Sequence, residues 1–388
     1  MLVVIVVVVA SSSDPPLVVH IIFRLDYGGL ENGLVNLLNR MPREEFRHAI
    51  VCLAGFTDFR KRIERADVAV YSLDKKPGKD FGAYLRCWKL LRALRPAVVH
   101  TRNLGTVDMQ WIALAAGVQR RVHGEHGWDA SDPQGRNGKN LLIRRVCRAV
   151  VDRYATVSQN LAEWLRVQVH VRSDAITQIY NGVDTQRFSP EGALPSDLPW
   201  SSAVKPPFVF GTVGRFDPIK NQLALVDAFA NLIRTHADQR ELRLVLVGDG
   251  TMASKLRERI ADLHLQDKVW MPGARNDIAA LIRSFDVFVL PSLNEGISNT
   301  ILEAMASGKP VVAGNVGGNG ELIESRRTGR LYSGESGDDL ESAMREYLTD
   351  TTLAARHGAA ARARAMDKFS MSAMVNGYST LYRGVLAA

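Results

Sequence analysis

Apolar and polar positions alternate along this chain in two successive rounds. Short runs rich in β-branched residues predict buried strands at Leu17–Phe23, His48–Leu53, Ala69–Leu73, Ala97–Thr101, Arg121–Glu125, Arg153–Val157 and Ile176–Tyr180. Helical spacing fills the gaps, as in Leu30–Asn39, Tyr84–Leu94 and Leu141–Val150. A proline-rich stretch from Pro195 to Pro207 interrupts the pattern, and a second round follows. Its strands are Phe208–Val213, Arg243–Val247, Val269–Met271, Val287–Leu290 and Pro310–Ala313, with helices such as Asn221–Thr235 and Asn299–Ala306 between them. Strands that alternate with helices form parallel sheets covered by helices, so two α/β Rossmann-like domains facing a central cleft are expected. Ligands of such sheets sit beyond the carboxyl ends of the strands, which directs attention to each strand-to-helix turn.

Composition narrows the class. With 388 residues, 46% apolar and 23% charged, the chain can bury large cores and is not a disordered protein. Cys52, Cys87 and Cys147 are too far apart for a zinc finger or a disulfide scaffold and favour a reducing, cytoplasmic compartment. A mean hydropathy of −0.07 disfavours a polytopic membrane protein. The net charge of +8 lies wholly in residues 1–205, where 28 Lys and Arg face 20 Asp and Glu; residues 206–388 balance at 21 each. A basic half suits nucleic acid, an anionic membrane surface or phosphorylated substrates, or is simply an arginine-rich helical surface. Met1 to Ala10 is almost purely apolar, about half the ~20 residues a spanning helix needs. It lacks the basic start and cleavage site of a signal peptide, so residues 1–16 are expected as an extension outside the fold, a membrane anchor being the lesser reading.

The richest turn is Pro291 to Ala304. A strand ends, a polar turn follows, and a helix opens near Ser298, whose first amides lack intrahelical partners and attract an anion. Ile297, Ser298 and Asn299 are thus placed to hold phosphate. Glu295 stands just before that position and Glu303 about 7–8 Å along the helix, so both carboxylates can accept sugar hydroxyls. Separately, they would read as a turn cap and a solvated helix residue. A second turn, Gly214 to Asn221, carries Arg215 and Lys220, a planar fork and a point charge suited to a diphosphate leaving group. Gly248-Asp249-Gly250 permits close backbone approach or merely reverses the chain. Arg275, after another strand, either stacks on a nucleobase or pairs with a carboxylate.

In the first half, Asp26-Tyr27-Gly28-Gly29-Leu30-Glu31 follows a strand, and Gly29 would let backbone approach a diphosphate. His126 lies at a strand end, where its ring meets a sugar hydroxyl or its backbone carbonyl meets the developing positive charge at the anomeric carbon. Asp-x-Asp is absent, so the paired-carboxylate metal clamp has no candidate and no metal ligand is assigned. Neither a P-loop nor a Gly-x-Ser-x-Gly elbow occurs. Electrostatic stabilisation then falls to Arg215, Lys220 and helix amides.

These residues resemble a family. Glu295-Gly296…Glu303-Ala304, Gly214-Arg215…Lys220, Gly28-Gly29-Leu30-Glu31 and Tyr180-Asn181-Gly182-Val183-Asp184…Phe188 together are similar to retaining glycosyltransferases of family 4, over about Leu17 to Leu386. Asp26 to Leu34 most resembles the sugar transferases associated with PEP-CTERM/exosortase polysaccharide loci. The resemblance implies the GT-B fold and a nucleoside diphosphate sugar donor, UDP- or GDP-linked, with no other cofactor. It implies that Arg215, Lys220, Gly29 and the amides of Ile297, Ser298 and Asn299 bind the donor diphosphate. Glu303 would hold the ribose and Arg275 the base, with Glu295 and His126 at the transferred sugar. It also implies a glycan or lipid-linked acceptor bound by the first domain, peripheral at the inner membrane face, where the basic half and Lys75–Lys79 would lie. Ser298 departs from the family's usual Pro or Gly. Expected domains are therefore 17–205 for acceptor, 206–366 for nucleotide sugar, and a helix in 367–388 crossing back to the first. The rivals are a nucleotide-sugar epimerase of the same fold and a non-catalytic sugar-nucleotide-binding protein. Nucleic acid is disfavoured because no aromatic-interleaved basic module is present.

Overall fold

The computed structural model describes residues 14–78, 80–128, 132, 134–236, 240–333, 337–350 and 352–388. The apolar run Met1–Ala10, Lys79 and Asp129 lie outside the described residues.

The chain forms two compact units, Gly182–Ser370 and the remainder, the latter made of residues up to Asn181 together with Met371–Ala388. In the first unit, seven strands form one parallel sheet: β1 (Leu17–Ile22), β2 (Arg47–Cys52), β3 (Ala69–Ser72), β4 (Val98–Arg102), β5 (Arg120–Glu125), β6 (Arg153–Thr156) and β7 (Ile176–Gln178). Their order is β3-β2-β1-β4-β5-β6-β7. The second unit repeats the plan with β8 (Phe208–Val213), β9 (Leu242–Val247), β10 (Val269–Gly273), β11 (Val287–Leu290), β12 (Val311–Gly314) and β13 (Gly329–Tyr332), in the order β10-β9-β8-β11-β12-β13. Strands such as Phe208–Val213 and Val287–Leu290 are buried throughout, because a parallel sheet is covered on both faces. Each expected strand is present to within two residues. The edge strand β13, Gly-Arg-Leu-Tyr, was not foreseen, since half of it stays accessible and it carries no apolar run. Each unit is a Rossmann-like α/β sheet, as expected.

Two boundaries differ from expectation. Residues 182–205 do not close the first unit; they pack on the second, where Asp197 pairs with Arg275 and the Arg283 guanidinium donates to the Ala193 and Ser189 carbonyls. The proline-rich stretch is thus a strap on the second unit rather than the junction. Nor are Asp14 to Pro16 outside the fold: the Arg47 Nε donates to the Pro15 carbonyl at 3.0 Å, and Arg47 N to Pro16 O at 3.1 Å.

The helix Met371–Ala387 belongs to the first unit, whose core it completes with Met374, Val375, Tyr378, Leu381, Tyr382 and Val385 against Val18, Val98 and Val122. Asp367 to Ser370 stay with the second unit.

Candidate functional site

In both sheets the strand order reverses beside the first strand, between β1 and β4 and between β8 and β11. Crossovers leave in opposite directions there, opening a crevice at the carboxyl ends. In the second unit the turns after β8 and β11 are the two that carry the expected anion-binding residues. They are adjacent because β8 and β11 pair directly, Val287 with Phe210 and Phe288 with Gly211. Leu293 N donates to the Ile219 carbonyl at 2.8 Å and stitches one turn to the other.

That stitching brings Lys220 and Glu295 into contact, Nζ to Oε1 at 2.5 Å, with their side chains only 21% and 10% exposed. Lys220 ends a short 3₁₀ turn, Pro218–Lys220, whose start is capped by the Asp217 carboxylate accepting from Lys220 N. Asn221 follows in the left-handed region (φ 52°), so the chain turns sharply before the helix Gln222–His236; the expected helix start at Asn221 moves by one residue. Arg215 is 79% exposed and lies 3.5 Å from Asp217, its backbone carbonyl held by the buried Gln222 side chain.

The helix Asn299–Ala306 starts where the sequence placed it. Ser298 is its cap, with Oγ accepting from Ile301 N at 3.3 Å, and Ile297 and Ser298 are buried. The Ser298 departure therefore supplies a capping oxygen in place of Pro or Gly. Glu303 lies on this helix, half-buried.

Two glycine turns hold this arrangement. Gly248 (φ 144°) and Gly250 (φ 152°) lie against Gly214 and Phe216: a Cβ on Gly248 would stand 1.9 Å from the Gly214 carbonyl oxygen. The turn is not mere chain reversal; it packs backbone to backbone against the segment bearing Arg215. The second turn was missed. Gly317 (φ 50°), after β12, presses on Glu295, where a Cβ would lie 1.7 Å from the Glu295 carbonyl oxygen. A Gly-Gly pair following a strand, Gly317-Gly318, was the available signal.

Arg275 takes the second of its two expected roles. Its guanidinium is clamped between Asp197 and Asp277, with contacts at 2.5 and 2.7 Å, and both carboxylates hold its pKa above the usual range. Nearly all its N–H groups are committed, so what it retains for a nucleobase is its planar face.

Gly29 and His126 belong to the first unit. Gly29 opens the helix Gly29–Arg40, with Gly28 as its cap; both are exposed. His126 follows β5, its backbone N–H donating to the Asn103 side chain at 2.7 Å. Its ring turns inward over Gly124: a Cβ there would stand 2.5 Å from His126 Nε2 and 2.9 Å from His100 Nε2, and both nitrogens are buried without a hydrogen-bond partner. Burial first, then the Arg102 guanidinium, hold the His126 pKa well below its ordinary value, so the ring is neutral. Of its two expected modes, the one through the ring is the one this burial opposes.

Sequence reasoning also missed what surrounds His126. Arg102 is buried and reaches His20 Nδ1 at 2.9 Å, His20 reaches His48 at 3.0 Å, and His100 reaches the Tyr382 hydroxyl at 2.8 Å. Beside them, Glu125 is gripped by Arg144 at 2.6 Å and touched by His123. Burial alone would push the Glu125 carboxyl up; the guanidinium and the ring overcome it and hold it at about 2. Among the described residues, no group of three or more His, Cys, Asp or Glu is arranged to hold a metal ion. Nor is any described helix long and apolar enough to cross a membrane.

Paired Rossmann-like units with a cationic turn beside a capped helix define a class of group-transfer proteins. Residues 198–364 match the family Glycosyl transferases group 1, and residues 27–187 match Glycosyltransferase Family 4. The chain belongs to the GT-B glycosyltransferases. It is 28% identical to the UDP-Gal:alpha-D-GlcNAc-diphosphoundecaprenol alpha-1,3-galactosyltransferase of Escherichia coli, over 88% of each chain. It is 35% identical to a GDP-mannose-dependent alpha-(1-6)-phosphatidylinositol monomannoside mannosyltransferase of Mycobacterium tuberculosis, over 47% of this chain and 49% of that one. Among solved structures, Anabaena HepE in complex with UDP has the same fold, with a TM-score of 0.79 and 22% identity over 95% of this chain and 99% of that one.

Proposed function

We propose that this protein is a retaining, metal-independent hexosyltransferase. It moves a hexose from a UDP- or GDP-linked donor to a glycan or lipid-linked acceptor in exopolysaccharide or cell-envelope polysaccharide synthesis, as a member of the PEP-CTERM/exosortase-associated group. The observation that carries this reading is the 2.5 Å contact of Lys220 with Glu295 at the mouth of the Ser298-capped helix. A cation, a carboxylate and the amides at a capped helix start stand on adjoining turns of one sheet, and a sugar diphosphate needs all three.

In this reading the diphosphate lies on Arg215, Lys220 and the amides of Ile297, Ser298 and Asn299. As the bond to the anomeric carbon breaks, these donors take up the charge of the leaving diphosphate, which is why no metal is required. Glu295, oriented by Lys220, accepts from the sugar hydroxyls; Glu303 accepts from the ribose; Arg275 presents its face to the base. The acceptor hydroxyl attacks from the face the diphosphate leaves, and its proton passes to the departing phosphate oxygen.

The E. coli relative is named for a UDP sugar and a diphosphoundecaprenol acceptor, and the mycobacterial one for GDP-mannose and a phosphatidylinositol mannoside; both names are consistent with a lipid-linked acceptor. Both name transferases, which disfavours the epimerase. The basic first half would then hold the enzyme at the inner membrane face. The test is incubation with UDP- and GDP-hexoses and polyprenyl-diphosphate sugar, with and without chelator. Transfer that survives chelation, with the donor's anomeric configuration retained by proton NMR, is expected. Release of a free epimer from donor alone would overturn the reading, as would undiminished turnover of Glu295→Ala.

A further inference from the structure

The first sheet has a crevice of its own, where the strand order reverses between β1 and β4, and two residues at its carboxyl edge stay outside the core. β1 and β4 pair in register up to Ile21 and Thr101, so two residues further on Phe23 and Asn103 stand side by side. Phe23 continues an apolar strand yet is 52% exposed. Other exposed aromatics are occupied: Tyr27 rests edge-on against Phe59, and Trp88 lies under the Arg92 guanidinium. Among the described residues the Phe23 ring has neither an aromatic nor a cationic partner. What it has is Gly105, a neighbour without a side chain. A Cβ there would stand 3.5 Å from Phe23 Cδ2, so the glycine leaves that flank of the ring uncovered.

Asn103 is held under backbone strain. Its φ of 57° and ψ of 171° fall in a region that residues other than glycine seldom enter, and such strain gathers at ligand sites. Three bonds hold it there. Asn103 N donates to the Gly124 carbonyl at 2.8 Å, the Asn103 carbonyl accepts from Thr106 N at 3.2 Å, and Oδ1 accepts from His126 N at 2.7 Å. A backbone N–H can be met only by the amide oxygen, so the last bond fixes which way the side chain lies. Both N–H groups of Nδ2 are left over, with no partner among the described residues. The result is a half-buried, immobilised donor beside an uncovered aromatic ring.

The chemistry of this pair selects its ligand. A phosphate would need a cation, and the two nearest in sequence are engaged: Arg24 pairs with Asp26 at 3.4 Å, and Arg102 is buried against His20. A neutral sugar ring needs what is here. The C–H groups along one face of a pyranose carry partial positive charge and meet the negative face of an aromatic ring, while its hydroxyls accept from an amide. The residues proposed above for the donor stand on the second unit, so the sugar met here is the acceptor's. We infer that Phe23 and Asn103 form the subsite for the acceptor's terminal sugar, Phe23 stacking its ring and Asn103 holding one hydroxyl. This rests on the transferase reading and narrows it, because it requires a pyranose at the acceptor end rather than a bare lipid phosphate.

Two measurements on the full-length protein test it. In saturation-transfer NMR with the methyl glycosides of glucose, galactose, mannose and N-acetylglucosamine, the ring protons of at least one should receive saturation, and Phe23→Ala should abolish it. In initial-rate kinetics at saturating donor, the KM for polyprenyl-diphosphate sugar should rise about three- to tenfold in Phe23→Ala and about tenfold in Asn103→Asp, with kcat and nucleotide affinity unmoved. Asn103→Asp keeps the oxygen that meets His126 N and loses only the donors, so a purely structural role predicts a wild-type KM for it. Phe23→Tyr keeps the ring and should restore the wild-type KM. Silence of all four glycosides, or a wild-type acceptor KM in either Phe23→Ala or Asn103→Asp, would overturn the inference. If a glycoside binds through Phe23 but no sugar is transferred, the transferase reading falls and the sugar subsite stands; transfer with a wild-type KM in either variant gives the reverse.

Discussion

The two sheets handle polar side chains in opposite ways. The second unit keeps its core apolar, with Phe210, Phe229, Leu244, Leu246, Val287 and Val289 fully buried, and carries Arg215, Lys220, Arg275 and Glu295 on turns beyond its strands. The first unit builds polar groups into the strands themselves: His20, His48, His100, Arg102, His123 and Glu125 are all buried. Charges on turns can meet a ligand while an inert core fixes their geometry. Charges inside a sheet must satisfy one another first, so the first unit depends on a complete network and pays for any gap.

The contrast breaks most visibly at Arg144. Its replacement by Ala leaves the Glu125 carboxylate, 1% exposed, without its guanidinium, and should cost about 3–5 kcal/mol, read as a lowered urea midpoint. Replacing both partners together, Arg144→Met with Glu125→Gln, should recover much of that loss.

Acid sharpens it next. Burial first, then Arg65 and Arg102, hold the His48 ring at about 3 against an ordinary 6.5, with only Asp67 opposing. Below pH 6.5 the unfolded chain takes up a proton that the folded ring refuses, so stability falls as pH drops and does not change on this account above 6.5. At about 1.4 kcal/mol per pH unit, this one group costs about 2 kcal/mol by pH 5. His20 and His100 shift in the same direction. Thermal unfolding followed from pH 7 to 5 should fall steeply, and less steeply in His48→Phe.

A change of similar size is expected on the other sheet, at the proposed ribose contact. Glu303→Ala should weaken nucleotide binding by about 1.5–3 kcal/mol, a ten- to hundredfold change by calorimetry, with folding intact.

The same contrast explains what the sequence made legible. Lys220, Glu295 and Ser298 stand on turns that follow clean apolar runs, so strand, turn and helix could be placed in order and the site assembled from spacing. Gly317 escaped because the Gly317-Gly318 pair marks a turn after a strand without saying that its backbone packs against Glu295. Arg102 and the histidines escaped because a polar residue inside a strand reads as an interruption of the apolar run rather than as a buried network. The helix Met371–Ala387 was legible through the resemblance, whereas the boundary at 205 was not, since prolines mark a turn in the chain without saying which core the segment covers.

The account turns most directly on a calorimetric titration of UDP and GDP into the wild-type protein and Lys220→Ala. One of the two diphosphates should bind more tightly than its monophosphate, and the substitution should weaken it by about tenfold or more, as expected for loss of a charge-assisted contact. Equal affinity of the two proteins for both nucleotides would contradict it.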